Sequence, residues 1–148
     1  MRHDDAESLA FGLLAAGRAL VDGISAGVRA RGFDDLRPAH GFAFARLAAG
    51  GATITQLAAH LDVTRQAAAQ LVDELAAKGY VERRPHPGDA RARLITLTGK
   101  GWACTRAAEA AMADTIRPWA AVLGESRLLA LRDDLIRLAP HGPLRPTW

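Results

Sequence analysis

Between residues 83 and 98 the chain reads RRPHPGDARARLITLT, placing Arg83, Arg84, Arg91 and Arg93 around a turn built from Pro85, Pro87 and Gly88. A guanidinium is a permanently charged, planar fork of donors that matches phosphate oxygens and guanine edges. Asp89, two residues before Arg91, is placed to orient a guanidinium through a charge-assisted hydrogen bond. A second group of polar side chains stands just upstream, in TRQAAAQLVDELAAKG (64–79). Wound as a helix with Ala68, Leu71 and Leu75 inward, this segment presents Gln66, Ala69, Gln70 and Asp73 outward, with Thr64 and Arg65 at its start. Glutamine pairs bidentately with adenine, alanine can contact a thymine methyl, and a helix N-terminus favours phosphate. Asp73 and Glu74 would be repelled by DNA, so the first two turns are the part that suits a groove.

Charge distribution points the same way. The 148-residue chain has a net charge of +3, with 17 Arg against 2 Lys, and residues 79 to 101 alone carry +3. A basic patch confined to one turn fits nucleic acid. Other chemistries find no support. His3, His40, His60, His86 and His141 lack metal-ligand spacing, and neither a Gly-rich phosphate loop nor a nucleophile–base arrangement is readable. Asp133 and Asp134 are adjacent and point to different faces of a helix. No enzyme, cofactor or metal is expected. No stretch approaches about 20 consecutive apolar residues, so no membrane partner is expected. The acidic start MRHDDAESLA lacks a signal-peptide pattern, and the expected location is the cytoplasm. Cys104, the single cysteine, allows no internal disulfide.

The elements that must hold these groups follow from periodicity. Leu9, Leu13, Leu20, Ile24 and Val28 recur at helical spacing in a first long helix, with Asp4 or Asp5 at its start. Gly12, Gly17, Gly23 and Gly27 within it mark close packing against another helix, or space for a ligand. Pro38 opens a second helix, and a short strand is possible at Thr53. Residues 55–61 and 64–79 form two short helices about the turn Asp62-Val63, with Leu57, Leu61, Val63, Leu71 and Leu75 facing inward. Ala58 and Ala68 stand where these helices approach, and Asp62 tolerates a left-handed turn conformation. This is helix-turn-helix spacing. YVERR and RLITLT read as two strands flanking the basic turn. Thr98 caps a further helix with Trp102, Met112, Ile116 and Trp119 on one stripe, which Pro118 should kink or break. A last helix carries Leu128, Leu131, Leu135 and Leu138.

Helix-turn-helix followed by a hairpin with a basic tip is a winged helix. VTRQAAAQLVDELAAKGYVERRPHPGDARARLITLTGKG resembles the winged helix of the multiple antibiotic resistance regulator (MarR) family, most sharply at LVDELAAKGYVERR and DARARLITLTGKG. The family's Asp-x-Arg wing feature falls on Asp89 and Arg91. Position 90 is Ala where a second Arg is common, and position 86 is His where an acidic residue is common. The resemblance implies a homodimer whose first and last helices intertwine. It also implies a pseudo-palindromic double-stranded operator, and repression relieved by a small aromatic or phenolic ligand. Family ligands sit between the dimer helices and the DNA-binding lobe, where His40, Phe44 and Trp102 are the candidates here. In the competing reading the phenylalanines are core and the His40 ring is in water.

The expected fold is therefore mainly α with a small β-hairpin wing. Residues 5–34 and 99–139 form dimerisation helices, 36–98 the winged helix-turn-helix lobe, and 140–148 an extended tail. In the expected function Gln66 and Gln70 read bases, with Ala69 beside them. Thr64 and Arg65 position the helix, Arg91 enters the minor groove, and Arg83, Arg84 and Arg93 hold phosphates. Two alternatives are a winged helix that binds a protein partner, and a regulator that senses oxidants through Cys104.

Overall fold

The computed structural model describes residues 2–138. The chain runs through α1 (His3–Ala30), α2 (Pro38–Ala48), α3 (Ile54–Leu61), α4 (Arg65–Ala77), β1 (Val81–His86), β2 (Asp89–Leu97), α5 (Gly99–Leu123) and α6 (Glu125–Leu138). It is mainly α with one antiparallel hairpin, a winged helix-turn-helix. The expected extended tail at 140–148 lies outside the described residues.

Two compact units are present. One comprises α1, α5 from Ala108 onward and α6; the other runs from Asp35 to Ala107. The lobe thus includes the first nine residues of α5, beyond the division at 98 drawn from sequence. In the first unit, a Cβ added at Gly27 would stand 2.7 Å from the Ala111 Cβ. One at Gly23 would meet the Thr115 Cγ2 at 2.6 Å, so these two glycines let α1 and α5 approach closely. Gly12 and Gly17 meet nothing within 4 Å. Arg31 bridges to Asp114 at 2.5 Å and holds that carboxyl below its ordinary range. Apolar side chains on α1 (Leu9, Phe11, Leu13, Leu14) and α6 (Leu129, Leu135, Ile136, Leu138) remain exposed. By length and composition alone α1 is long and apolar enough to cross a membrane, although charged residues interrupt its apolar run. Arg18 and Asp22 pair on it at 3.1 Å.

In the second unit, Thr53 caps α3 by accepting the Gln56 N–H at 3.2 Å, and Gln56 returns a bond to the Thr53 N–H. The anticipated strand at Thr53 is a single bridge one residue earlier, Ala52 to Ile95. Asp62 adopts φ 54°, ψ 48°, the left-handed turn between α3 and α4. Thr64 then caps α4 by accepting the Ala67 N–H at 3.1 Å. The buried face of α4 is Ala68, Val72 and Leu75, packed with Leu57, Ala58 and Leu61 of α3. Val63 is 40% exposed and Leu71 half-buried, contrary to the inward set read from sequence. Both alternatives have helical spacing, and the α3–α4 crossing selects the Val72 side.

The hairpin pairs Val81 with Leu97 through Pro85 with Arg93, after which the register slips and His86 faces Asp89. Ile95 and Leu97 anchor it to the core. Thr98 accepts the Gly101 N–H at 3.2 Å and starts α5. A Cβ at Gly101 would run into the Tyr80 carbonyl oxygen, so glycine is required for α5 to leave the wing this closely. Pro118 does not break α5. The helix continues to Leu123 and stops at Gly124, whose φ of 79° is one that glycine adopts without a Cβ clash. Nor is the Trp102 stripe its packed face: Trp102 and Met112 are exposed, whereas Cys104, Ala107 and Ala111 are buried.

Candidate nucleic-acid interface

The capped N-terminus of α4 displays the groups expected to read bases. Gln66 and Gln70 are exposed on the side away from Ala68, Val72 and Leu75, with exposed Arg65 and half-buried Ala69 beside them. Thr64 has its hydroxyl engaged by the Ala67 N–H, so it fixes the start of the helix. No acidic residue stands in the first turn of α4, which leaves the positive end of the helix dipole uncompensated. Among the described residues no hydrogen bond or ion pair engages the side chains of Arg65, Gln66 or Gln70.

The wing's arginines divide into two kinds. Arg83 pairs with Asp73 on α4, which ties the base of the hairpin to the recognition helix. Arg84 pairs with Glu82 at 2.5 Å. Arg91 and Arg93 are exposed, and neither has an acidic partner among the described residues. Asp89 does not hold the Arg91 guanidinium, as its spacing had indicated; its Oδ1 accepts the Arg91 backbone N–H at 2.9 Å. This Asx-type turn sets the backbone at the tip and leaves the Arg91 side chain to reach outward. His86, whose role the sequence left open, supports the same turn: its Nδ1 accepts the Gly88 N–H at 3.0 Å.

Behind this surface lies a polar cluster that sequence reasoning missed. His40 is 0% exposed. Its Nδ1 accepts the Arg37 N–H at 2.9 Å, so the ring proton resides on Nε2 and is donated to Glu74 Oε2 at 3.2 Å. Burial, the largest influence, lowers the His40 pKa, so the ring is neutral and this contact is a hydrogen bond rather than an ion pair. Arg37 holds Glu74 at 2.6 Å, and its guanidinium foremost, with His40 second, draws the Glu74 carboxyl below its ordinary value. Glu74 is therefore a bracket between α4 and the start of α2. A second bracket joins Tyr80 to Asp35 at 2.6 Å, with Lys100 4.2 Å above the Tyr80 ring. The Tyr80 bond is the main cause of the lowered Asp35 pKa.

Of the residues expected to bind a ligand, His40 and Phe44 share the buried face of α2, whereas Trp102 is exposed. His40 is not in water, and it lies on the core face of α2 with Ala43, Phe44 and Leu47. Phe44 packs edge-on against Tyr80, ring centroids 5.6 Å apart, while Trp102 is 42% exposed on α5. A different half-open groove of about 250 Å3 is lined by Arg37, Ala39, Leu61, Val63, Ala67, Gln70, Leu71 and Glu74. Cys104 is 2% exposed, and burial pushes its thiol up to about 11. A redox sensor needs an accessible thiolate, and this environment opposes both conditions. Among the described residues no cluster of His, Cys, Asp and Glu has the arrangement of a metal site.

The sequence model of the MarR family matches residues 34–92, which contain the helix-turn-helix and the wing tip. A probable transcriptional regulator from Pseudomonas aeruginosa has a similar structure, with TM-score 0.70 and 27% identity over 93% of this chain and 100% of that one. The repressor CouR, solved on a 23-mer DNA duplex, gives 0.74 and 25% over 93% and 96%. Apo MarR from Escherichia coli gives 0.71 and 21% over 89% and 97%. No curated protein matches by sequence. Residues 34–92 thus match the MarR-family model, and the fold is similar to those of transcriptional regulators, one of them solved on DNA.

Proposed function

We propose that this protein is a homodimeric transcriptional repressor that reads a pseudo-palindromic operator. The observation that carries the reading is the pairing of two exposed polar surfaces in one lobe. The α4 face bearing Arg65, Gln66 and Gln70 is joined to the wing through Asp73 and Arg83. Gln66 and Gln70 read bases in the major groove, and Arg91 at the tip enters the minor groove. Arg93 holds phosphate directly, whereas Arg83 and Arg84 first exchange their carboxylate partners. The exposed apolar faces of α1 and α6 supply the dimer contact, and two lobes then meet two half-sites. With DNA as its partner the protein works in the cytoplasm.

Release by a small aromatic or phenolic ligand is the regulatory part of this reading. Its support is the groove beside α4, which combines an apolar lining from Leu61, Val63 and Leu71 with the Arg37 guanidinium. A ligand seated there would contact Gln70 and shift the recognition helix.

The protein-partner alternative requires aromatic or aliphatic anchors on the reading face. Apart from Val63 at its margin, that face is polar. Arg91→Ala separates the assignments. Operator affinity should fall about fivefold or more, and the salt slope should flatten by about one, as removal of a cation from DNA requires. Unchanged affinity and slope would remove the wing from the interface.

A further inference from the structure

His86 stands at the wing tip with more hydrogen-bonding capacity than the turn uses. It ends β1 where the register slips, and its ring lies against the turn: a Cβ at Gly88 would be 3.5 Å from the His86 Cε1. Its Nδ1 accepts the Gly88 N–H at 3.0 Å. A ring nitrogen that accepts carries no proton, so the neutral imidazole bears its proton on Nε2. That nitrogen has no hydrogen-bond partner among the described residues. The turn has thus fixed both the tautomer and the orientation of a donor on a half-buried side chain, one residue after Arg93's strand partner Pro85 and beside the exposed tip from Pro87 to Arg91. Asp89 does not compete for it, because its Oδ1 already accepts the Arg91 N–H.

We propose that His86 is a DNA-contact residue of the wing, donating its Nε2–H to an acceptor atom of the duplex next to Arg91. The inference rests on the DNA-binding reading above. The minor groove at A·T pairs presents acceptors alone, and its narrow form attracts histidine as well as arginine; phosphate oxygens accept equally well. A carboxylate at position 86 would satisfy the Gly88 N–H but set negative charge against the duplex. Histidine satisfies the same N–H and adds a donor. At position 90 the tip has Ala, which offers no side-chain donor, so His86 adds one beside Arg91.

The test uses the full-length protein on an operator duplex and on a scrambled one, with three variants. His86→Ala removes both bonds and should weaken operator binding about five- to tenfold. His86→Asn keeps an acceptor for Gly88 and offers an amide donor, and should restore affinity to within about threefold of wild type. His86→Asp keeps the acceptor without the donor and should bind more weakly than His86→Ala. Neither His86→Ala nor His86→Asn should change the salt slope, since exchanging neutral groups displaces no counterion, in contrast to Arg91→Ala. Unchanged affinity in His86→Ala, or equal rescue by Asn and Asp, would overturn the contact and leave His86 a turn residue. Operators with 3-deazaadenine or with methylphosphonates near the tip identify the acceptor: the substitution that costs wild type but not His86→Ala marks the bond as groove-edge or phosphate. Failure of wild type to prefer operator over scrambled DNA would instead overturn the DNA-binding reading itself.

Discussion

At the scale of single residues, a side chain's partner decides its role more than its type does. Arg83 and Arg91 are both wing arginines, yet one is tied to Asp73 and the other reaches outward. Sequence placed Arg65, Gln66 and Gln70 on an exposed face of α4, as they are, because exposure on a helical face can be read without knowing a partner. It misplaced His40, although His40, Ala43, Phe44 and Leu47 already show core spacing, because a polar residue at a helix start reads as solvated until Glu74 is found across the fold. Burial gives His40 a pH signature. Its folded pKa is lowered, so below about 6.5 the unfolded chain binds the extra proton and stability falls as the pH drops. His60 is lowered by burial in the same direction, so the variant isolates the His40 share. His40→Gln should therefore shrink the drop in melting temperature between pH 7.5 and 5.5, and an undiminished drop would place the titration elsewhere. Cys104 offers a simpler check. With its thiol raised to about 11 and buried, it should resist iodoacetamide at pH 8 in the native protein and react after denaturation. Rapid native labelling would reverse that conclusion.

At the scale of elements, the number and order of helices and strands were legible because periodicity, caps and turn residues act locally. Thr64, Asp62 and Thr98 sit at the boundaries they mark. Packing partners were less legible, since they depend on contacts far apart in sequence. Val72 rather than Leu71 faces the core, and the packed face of α5 is made of small residues rather than tryptophans. Pro118 shows that a lost N–H need not end a helix whose flanking turns hold, whereas Gly124 does end it. The glycines separate local propensity from packing. Gly41 in α2 meets nothing within 4 Å, so Gly41→Ala should stabilise by up to about 1 kcal/mol through helix propensity. Gly27→Ala gains the same propensity but collides with Ala111, and should give a net loss of about 1–2 kcal/mol. Thermal or urea unfolding of the two variants tests both signs. A stabilised Gly27→Ala would mean that α1 and α5 are not closely packed there.

At the scale of the whole molecule, exposed apolar surface and exposed basic surface divide the labour. The apolar side chains of α1 and α6 are exposed and their proposed partner is a second copy, so sedimentation should give twice the monomer mass. Leu135→Glu should lower that mass, while an already monomeric wild type would leave those faces unexplained. DNA is the proposed partner of the lobe, whose charge lies on one hairpin although the rest of the chain is neutral overall. The most direct test of that claim is titration of the purified protein against its own upstream DNA and against a scrambled duplex of equal length, each at two salt concentrations. The account predicts selective binding to the upstream duplex, with affinity falling steeply as salt rises. Equal, weak binding to both duplexes would contradict operator reading, and binding insensitive to salt would contradict the role of the wing.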